Sequence, residues 1–293
     1  MKLTHNRAVA LMVVVTLMWS TAGVVSRHLE SARSFEVTFW RAFFTAMSLL
    51  VILPLLRGRR VFADMRQAGR AFWVSGVCWS IMFTAFMVAL TLTSVANVLV
   101  TMSLGPLLTA LLARIFIGHR IPLRTWVAIV AAGCGIVVMY GTQLSSGQLR
   151  GTLVALCVPI AGATNWTVTQ NSHDAGHDVD LVPALFVGAV ISALVTLPLA
   201  YPFQATLHDL GLLAFLGLCQ LAIPCALAVM CARVLLAPEI SLIALLEVIF
   251  GIVLAWVGAG EAPGPTVLTG GSLVIGALLV NELLGWKQRR AAT

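Results

Sequence analysis

The chain has 293 residues, 60 % of them apolar and only 10 % charged, with mean hydropathy +0.99 and a formal charge of +7. Soluble domains carry roughly 25% charged residues, so a soluble enzyme or binding domain is excluded; this much apolar surface calls for lipid. The positive charge does not point to nucleic acid, because the arginines cluster between apolar runs, where cytoplasmic loops of membrane proteins carry them.

In chain order, apolar runs predict spans at Ala8–Val25, Phe35–Leu56, Ala71–Leu92, Val95–Ile117, Arg124–Tyr140, Gly151–Thr169, Leu181–Tyr201, Leu210–Val229, Ile240–Val257 and Val267–Leu284. Each is near the roughly 20 residues that a helix needs to cross the hydrocarbon core. Barrel strands would instead alternate over roughly ten residues. Lys2 and Arg7 precede the first run as in a signal peptide. That run is long for one and no A-x-A site follows, so it is read as a retained helix.

With ten spans and the N-terminus in the cytoplasm, fourteen of the 18 Lys and Arg residues fall on the cytoplasmic side. Arg57, Arg59, Arg60, Arg66 and Arg70 form the largest group there; Arg27, Arg33, Arg41 and Arg150 lie on the other side. This bias predicts both termini inside. Thr93–Ser94 leaves room only for a tight helical hairpin, and the longest polar stretch is Asn171–Asp180.

Two halves of the chain echo each other. Pro106 is followed twelve residues later by Gly118-His119 and then Pro122, and Val248 twelve residues later by Gly260-Glu261 and then Pro263. Trp19-Ser20-Thr21 is echoed by Asn165-Trp166-Thr167. Residues 1–142 and 143–293 therefore read as two five-helix repeats. An odd number of helices makes the second repeat enter from the opposite side, giving an inverted-topology pair with substrate at the interface.

Leu17-Met18-Trp19-Ser20 ending near Arg27, Phe39-Trp40-Arg41, Pro106 ahead of Gly118, and Glu247 followed by Gly260-Glu261 resemble the EamA-type members of the drug/metabolite transporter superfamily. The resemblance covers essentially the whole chain. Val248 stands where the family pattern has proline, and His119 where the first half has glutamate. The Trp-Ser-Thr opening is similar to the YddG-like amino acid exporters of the family. The resemblance implies a secondary transporter in a bacterial inner membrane that exports small metabolites, amino acids including aromatic ones foremost. Cationic drugs or nucleotide sugars are the alternative cargo on the same fold.

Glu247 is a lone carboxylate in an apolar helix, costly there and a functional candidate by default. It serves either as substrate-ammonium partner or proton carrier, or as a structural acceptor at a helix end. Arg41 pairs with Glu36, meets a substrate carboxylate, or snorkels to the interface. Trp19, Trp79, Phe83, Phe86 and Trp166 sit mid-span, and Trp79, Phe83 and Phe86 share one helix face. They offer a stacking surface, or contacts to lipid and neighbouring helices. Ser20, Thr21, Asn97, Thr101, Ser103, Asn165 and Thr169 either bind an amino acid's polar groups or bond between helices. Pro106, Pro159 and Pro224 are hinges or static kinks.

The six cysteines lie in apolar runs as small fillers, with no disulfide or zinc pattern. His173-Asp174-x-x-His177-Asp178 reads as a solvated linker rather than a metal site. Gly133-x-Gly135, inside a span, and Gly258-x-Gly260, after another, are not nucleotide loops, while Gly270-Gly271, Gly276 and similar small residues read as close helix packing. No Walker sequence is present, and no paired aspartates or Ser-His pair sits at mid-depth. The reading is thus a non-enzyme without cofactor or metal, a monomer in the lipid bilayer whose partner is a small-molecule substrate and not nucleic acid. A channel is the remaining membrane alternative.

Overall fold

In hydrocarbon a peptide group has no water to bond, so each apolar run must satisfy its own N–H and C=O groups, as a helix does. The structure, a computed structural model, describes residues 4–292 apart from 33, 59, 118–121, 141–147, 175–180, 233 and 236. Among the described residues all regular structure is helical. The first half holds α1 (His5–Ser26), α2 (Ser34–Arg57), α3 (Val61–Gln67), α4 (Arg70–Leu92), α5 (Val95–Met102), α6 (Gly105–Ile117) and α7 (Leu123–Tyr140). The second holds α8 (Gln148–Asp174), α9 (Leu181–Ala200), α10 (Leu207–Phe215), a π segment (Leu216–Ala222), α11 (Ile223–Ala232), α12 (Ala237–Ala259) and α13 (Pro265–Ala292).

Seven helical stretches are long and apolar enough to cross a membrane, and Leu123–Gly135, Leu149–Asn165 and Ile243–Ala259 are shorter apolar helices. Their outer faces carry Val51, Leu55, Val127, Val137, Leu194 and Val257, each more than half exposed. Lipid tolerates such a surface and water does not.

Three details differ from the sequence expectation. The arginine-rich connection after α2 contains the short helix α3. The fourth run is broken at Ser103–Leu104. Pro106 has no N–H to donate to Met102, so the chain turns and restarts with the proline in the first turn of α6, where no donor is needed. The eighth run widens into the π segment, where the Ile223 N–H reaches back five residues to Leu218 O. Pro224 lies immediately beyond. Its ring would clash with the carbonyl of Gln220 in a regular α-turn, and the wider turn relieves the clash. Pro159 lies inside the continuous helix α8.

α1 packs on α12, α11 and the π segment; α2 on α9 and the π segment; α4 on α8 and α9; α5 and α6 on α8; α5 on α12; and α7 on α13. Close approach rests on particular glycines. A Cβ on Gly135 of α7 would lie 2.6 Å from Gly270 O of α13, whereas Gly133 and Gly276 have nothing within 4 Å and are not packing glycines. His173 and Asp174 fall at the end of α8, and His177 and Asp178 lie outside the described residues.

One end of the bundle is tied by carboxylates that accept from backbone. Glu36 takes the N–H groups of Gln204 (2.9 and 3.0 Å) and Ala205 (2.8 Å). Asp209 accepts from Glu30 (2.8 Å), Ser31 (3.0 Å) and Ala32 (3.0 Å), and completes a capping box with Thr206 at the start of α10. Arg27, just past α1, donates Nη1 to Leu90 O (2.6 Å), Nη2 to Thr93 O (2.9 Å) and Nε to Glu261 (2.5 Å). Glu261 in turn accepts from Val95 N–H at 2.6 Å. A cation thus meets the carbonyl end of α4 and an anion the amide end of α5, as the helix dipoles favour. Gly260, in the left-handed region at φ 67°, makes the turn that presents Glu261.

Candidate functional site

Arg41 lies two turns into α2, and its residue is only 3 % exposed. That excludes the snorkelling arginine. The pairing with Glu36 is also overturned, because Glu36 is held by the backbone at 204–205. A buried guanidinium is tolerated only when its donors are met and charge lies nearby. Both groups on one edge, Nε (3.2 Å) and Nη2 (2.9 Å), donate to Gln220 Oε1 in the π segment. Gln220 Nε2 donates to Trp19 O of α1 at 3.2 Å. Arginine only donates and a carbonyl only accepts, so these bonds fix the orientation of the amide. The Arg41 guanidinium carbon also lies 5.4 Å from the Phe86 ring centroid and 6.0 Å from that of Phe83, within cation–π range.

Glu247 projects from the middle of α12. It is half-buried and interacts electrostatically with Arg41. Among the described residues nothing donates a hydrogen bond to it. Cys225, one turn after Gln220, is buried, and its thiol lies in the field of both charges. Five elements therefore meet around one cation and one anion: α1, α2, α4, the π segment with α11, and α12.

Of the residues singled out from sequence, Arg41, Trp19, Phe83, Phe86 and Glu247 come together here. Trp79 packs on Phe83, with ring centroids 5.6 Å apart. Its buried indole N–H has no acceptor among the described residues. Ser20 is turned to its own helix, bonding Leu17 O at 2.7 Å. Asn97 and Thr101 are buried in α5, where Asn97 Nδ2 donates to Thr93 Oγ1 (3.0 Å) and Thr101 Oγ1 to Asn97 O (2.7 Å). Asn165 is buried in α8, and the side chain of Trp166 lies outside the described residues. Pro224 is the proline nearest the charged cluster, one position before Cys225.

Sequence reasoning missed Gln220 and Cys225. A signal for Gln220 was present. It is a lone amide in the apolar run 207–228 with a proline four residues on, the same kind of misfit that marks Glu247.

Apolar helices enclosing a buried guanidinium and a carboxylate in its field define a class: a multi-pass integral membrane protein with a polar site between its helices. Residues 6–141 match the EamA-like transporter family, so this part of the chain is similar to the EamA-type members of the drug/metabolite transporter superfamily. The chain is similar to the pseudopaline exporter CntI of Pseudomonas aeruginosa, at 23 % identity over 83 % of this chain and 84 % of the exporter. It is also similar to proteins named S-adenosylmethionine uptake transporter. The Rickettsia bellii protein is 23 % identical over 91 % of this chain and 90 % of its own, and that of Rickettsia felis 25 % identical over 91 % and 89 %. A solved crystal structure shares the fold with a TM-score of 0.66 and 19 % identity, over 97 % of this chain and 99 % of its own.

Proposed function

We propose that this protein is a secondary transporter that exports small zwitterionic metabolites, amino acids including aromatic ones foremost, across a bacterial inner membrane. The observation that carries the reading is the buried Arg41, with Gln220, Phe83 and Phe86 against it and the Glu247 carboxylate within its electrostatic reach. A guanidinium suits a carboxylate, a lone carboxylate suits an ammonium, and the rings suit an apolar side chain. A cationic drug would need only Glu247, and a nucleotide sugar would leave Glu247 repelling its phosphates, so both fit less well. Relatives named for S-adenosylmethionine, a methionine derivative, are in keeping with a cargo that bears an amino acid group.

In this reading the chain makes ten passes as an inverted 5+5 repeat, residues 1–142 and 143–293, with both termini in the cytoplasm, and works as a monomer by alternating access. The packing supports it. Exchanging each pass for the one five further on turns α1·α12 into α8 against α5 and α6. It likewise turns α4·α8 into α11·α1 and α4·α9 into π·α2, and it leaves α2·α9, α7·α13 and α5·α12 unchanged. Pro106 and Pro224, at the broken and widened helices, are the proposed hinges, while Pro159 lies in an unbroken helix. Ser20, Trp79, Asn97, Thr101, Asn165 and Trp166 form the proposed wall of the pathway.

Counterflow in proteoliposomes tests this. Vesicles loaded with unlabelled amino acids should accumulate labelled tryptophan above a protein-free control, and Glu247→Gln should abolish the accumulation. Folded protein that accumulates no amino acid from a broad panel sinks the reading.

A further inference from the structure

The Arg41 edge that faces Gln220 is the Nε/Nη2 edge, the one that receives a carboxylate through two parallel bonds. Here one neutral oxygen takes both donors, at 3.2 and 2.9 Å, so each bond is compromised. The same side chain holds α1 through Trp19 O. Its position comes from the π turn that Pro224 forces. We propose that Gln220 stands in for the carboxylate of the substrate. It occupies Arg41 while the site is empty and is displaced when a carboxylated cargo arrives.

The exchange has two consequences. Arg41 gains two charge-assisted bonds in place of a shared neutral acceptor, which makes Gln220 a specificity-determining residue: it competes with every ligand that uses Arg41 and with none that does not. As Gln220 turns away, its Nε2–H leaves Trp19 O, and α1 loses a tie to the π segment. Occupancy of the cation is thereby linked to the seam between the first and eighth passes. This inference rests on the reading above that the cargo carries a carboxylate.

The test compares L-tryptophan with tryptamine, which keeps the indole and ammonium but lacks the carboxylate. Full-length protein in proteoliposomes is assayed for counterflow half-saturation and for inhibition by tryptamine, in wild type, Gln220→Met and Gln220→Glu. Gln220→Met leaves Arg41 without its acceptor in the empty state, so half-saturation by tryptophan should fall about threefold to tenfold, since an unmet buried donor favours the bound state. Gln220→Glu installs a permanent carboxylate and should raise half-saturation by at least about tenfold. Tryptamine inhibition should not weaken in either variant.

Two variants that both weaken tryptophan, or that shift tryptophan and tryptamine alike, would overturn the proposal and leave Gln220 a structural residue. Should Gln220→Glu fail to fold, the direction of Gln220→Met decides alone, tightening for and weakening against. Failure of the amino acid reading itself is distinguishable, because wild type would then show no counterflow with any amino acid.

Discussion

Gly217 sits in the π segment one turn before Gln220, against α2. A Cβ placed on it would lie 2.7 Å from Phe44 Cβ, 2.8 Å from Thr45 N and 2.9 Å from Phe44 C. These are atoms on or next to the backbone, not the tip of a flexible side chain, so relief requires the π segment and α2 to part. Ordinary carbon contacts are about 3.5 to 4.0 Å, which sets the needed shift at roughly 1 Å. The Arg41–Gln220 bonds, already 2.9 and 3.2 Å long, do not survive it, because a contact near 4 Å is no hydrogen bond. Gly217→Ala is therefore expected to cost about 1 to 3 kcal/mol of stability through overpacking and, by releasing Arg41 from Gln220, to lower the half-saturation of tryptophan counterflow. Gly211→Ala in α10 is the control. Nothing lies within 4 Å of its Cβ, so helix propensity alone should make it neutral or stabilising by up to about 1 kcal/mol. Thermal unfolding in detergent and counterflow in liposomes measure the two effects. Normal transport by Gly217→Ala with an unchanged half-saturation would refute the link between this seam and the Arg41 site.

Arg27→Gln removes a cation that holds Glu261, Leu90 O and Thr93 O; a loss of about 2 to 4 kcal/mol is expected from bonds to charged groups, seen as a lower unfolding temperature. Glu261→Gln retains an acceptor for Val95 N–H, so its effect on the same midpoint should be smaller, about 1 to 2 kcal/mol. Asp209→Ala strips acceptors from Glu30, Ser31 and Ala32 and breaks the α10 cap; it should cost about 2 to 4 kcal/mol, and amide exchange at residues 30–32 should accelerate. Gly188→Ala would put a Cβ 2.5 Å from Trp79 Cβ and 3.0 Å from Gly76 O, so the α4–α9 seam should loosen by about 1 to 3 kcal/mol, with altered tryptophan fluorescence.

The sequence was most legible where one physical rule acts alone. Lipid demands about 20 apolar residues per helix, and the predicted runs fall on helical stretches, with the turn at Thr93–Ser94 between two of them, although the fourth is broken at Ser103–Leu104 and the eighth widens over Leu216–Ala222. Glu247 was legible for the same reason, since a charge in such a run is costly. Pairings were not legible. Glu36 is five residues from Arg41, and sequence proximity suggested an ion pair. In the fold Glu36 meets residues 204–205 and Arg41 meets residue 220, because α2 packs on α9 and on the π segment. The π turn itself was hidden. Pro224 announced a disturbed helix, but whether a helix breaks as at Pro106, stays unbroken as at Pro159 or widens as at Pro224 depends on neighbours that sequence does not reveal. Gly260-Glu261 was visible as a motif, while its partner Arg27 lies 234 residues away.

The carboxylates of this chain fall into two kinds, and the division bears on function. Glu36, Asp209 and Glu261 lie at one end of the bundle, and each accepts from backbone N–H groups. They are structural, since each holds backbone amides at a turn or at the start of a helix. Glu247 lies at mid-helix, where an acid is most expensive, yet the described residues offer it no donor, only the field of Arg41. Folding alone would be better served by pairing that acid or replacing it with leucine. Arg41 shows the same economy from the other side: its edge is shared on one neutral oxygen when a carboxylate would fill it better. A site whose anion meets no donor among the described residues, and whose cation places two donors on one neutral oxygen, is a poor structural element and a good receptor for a ligand carrying the two complementary charges.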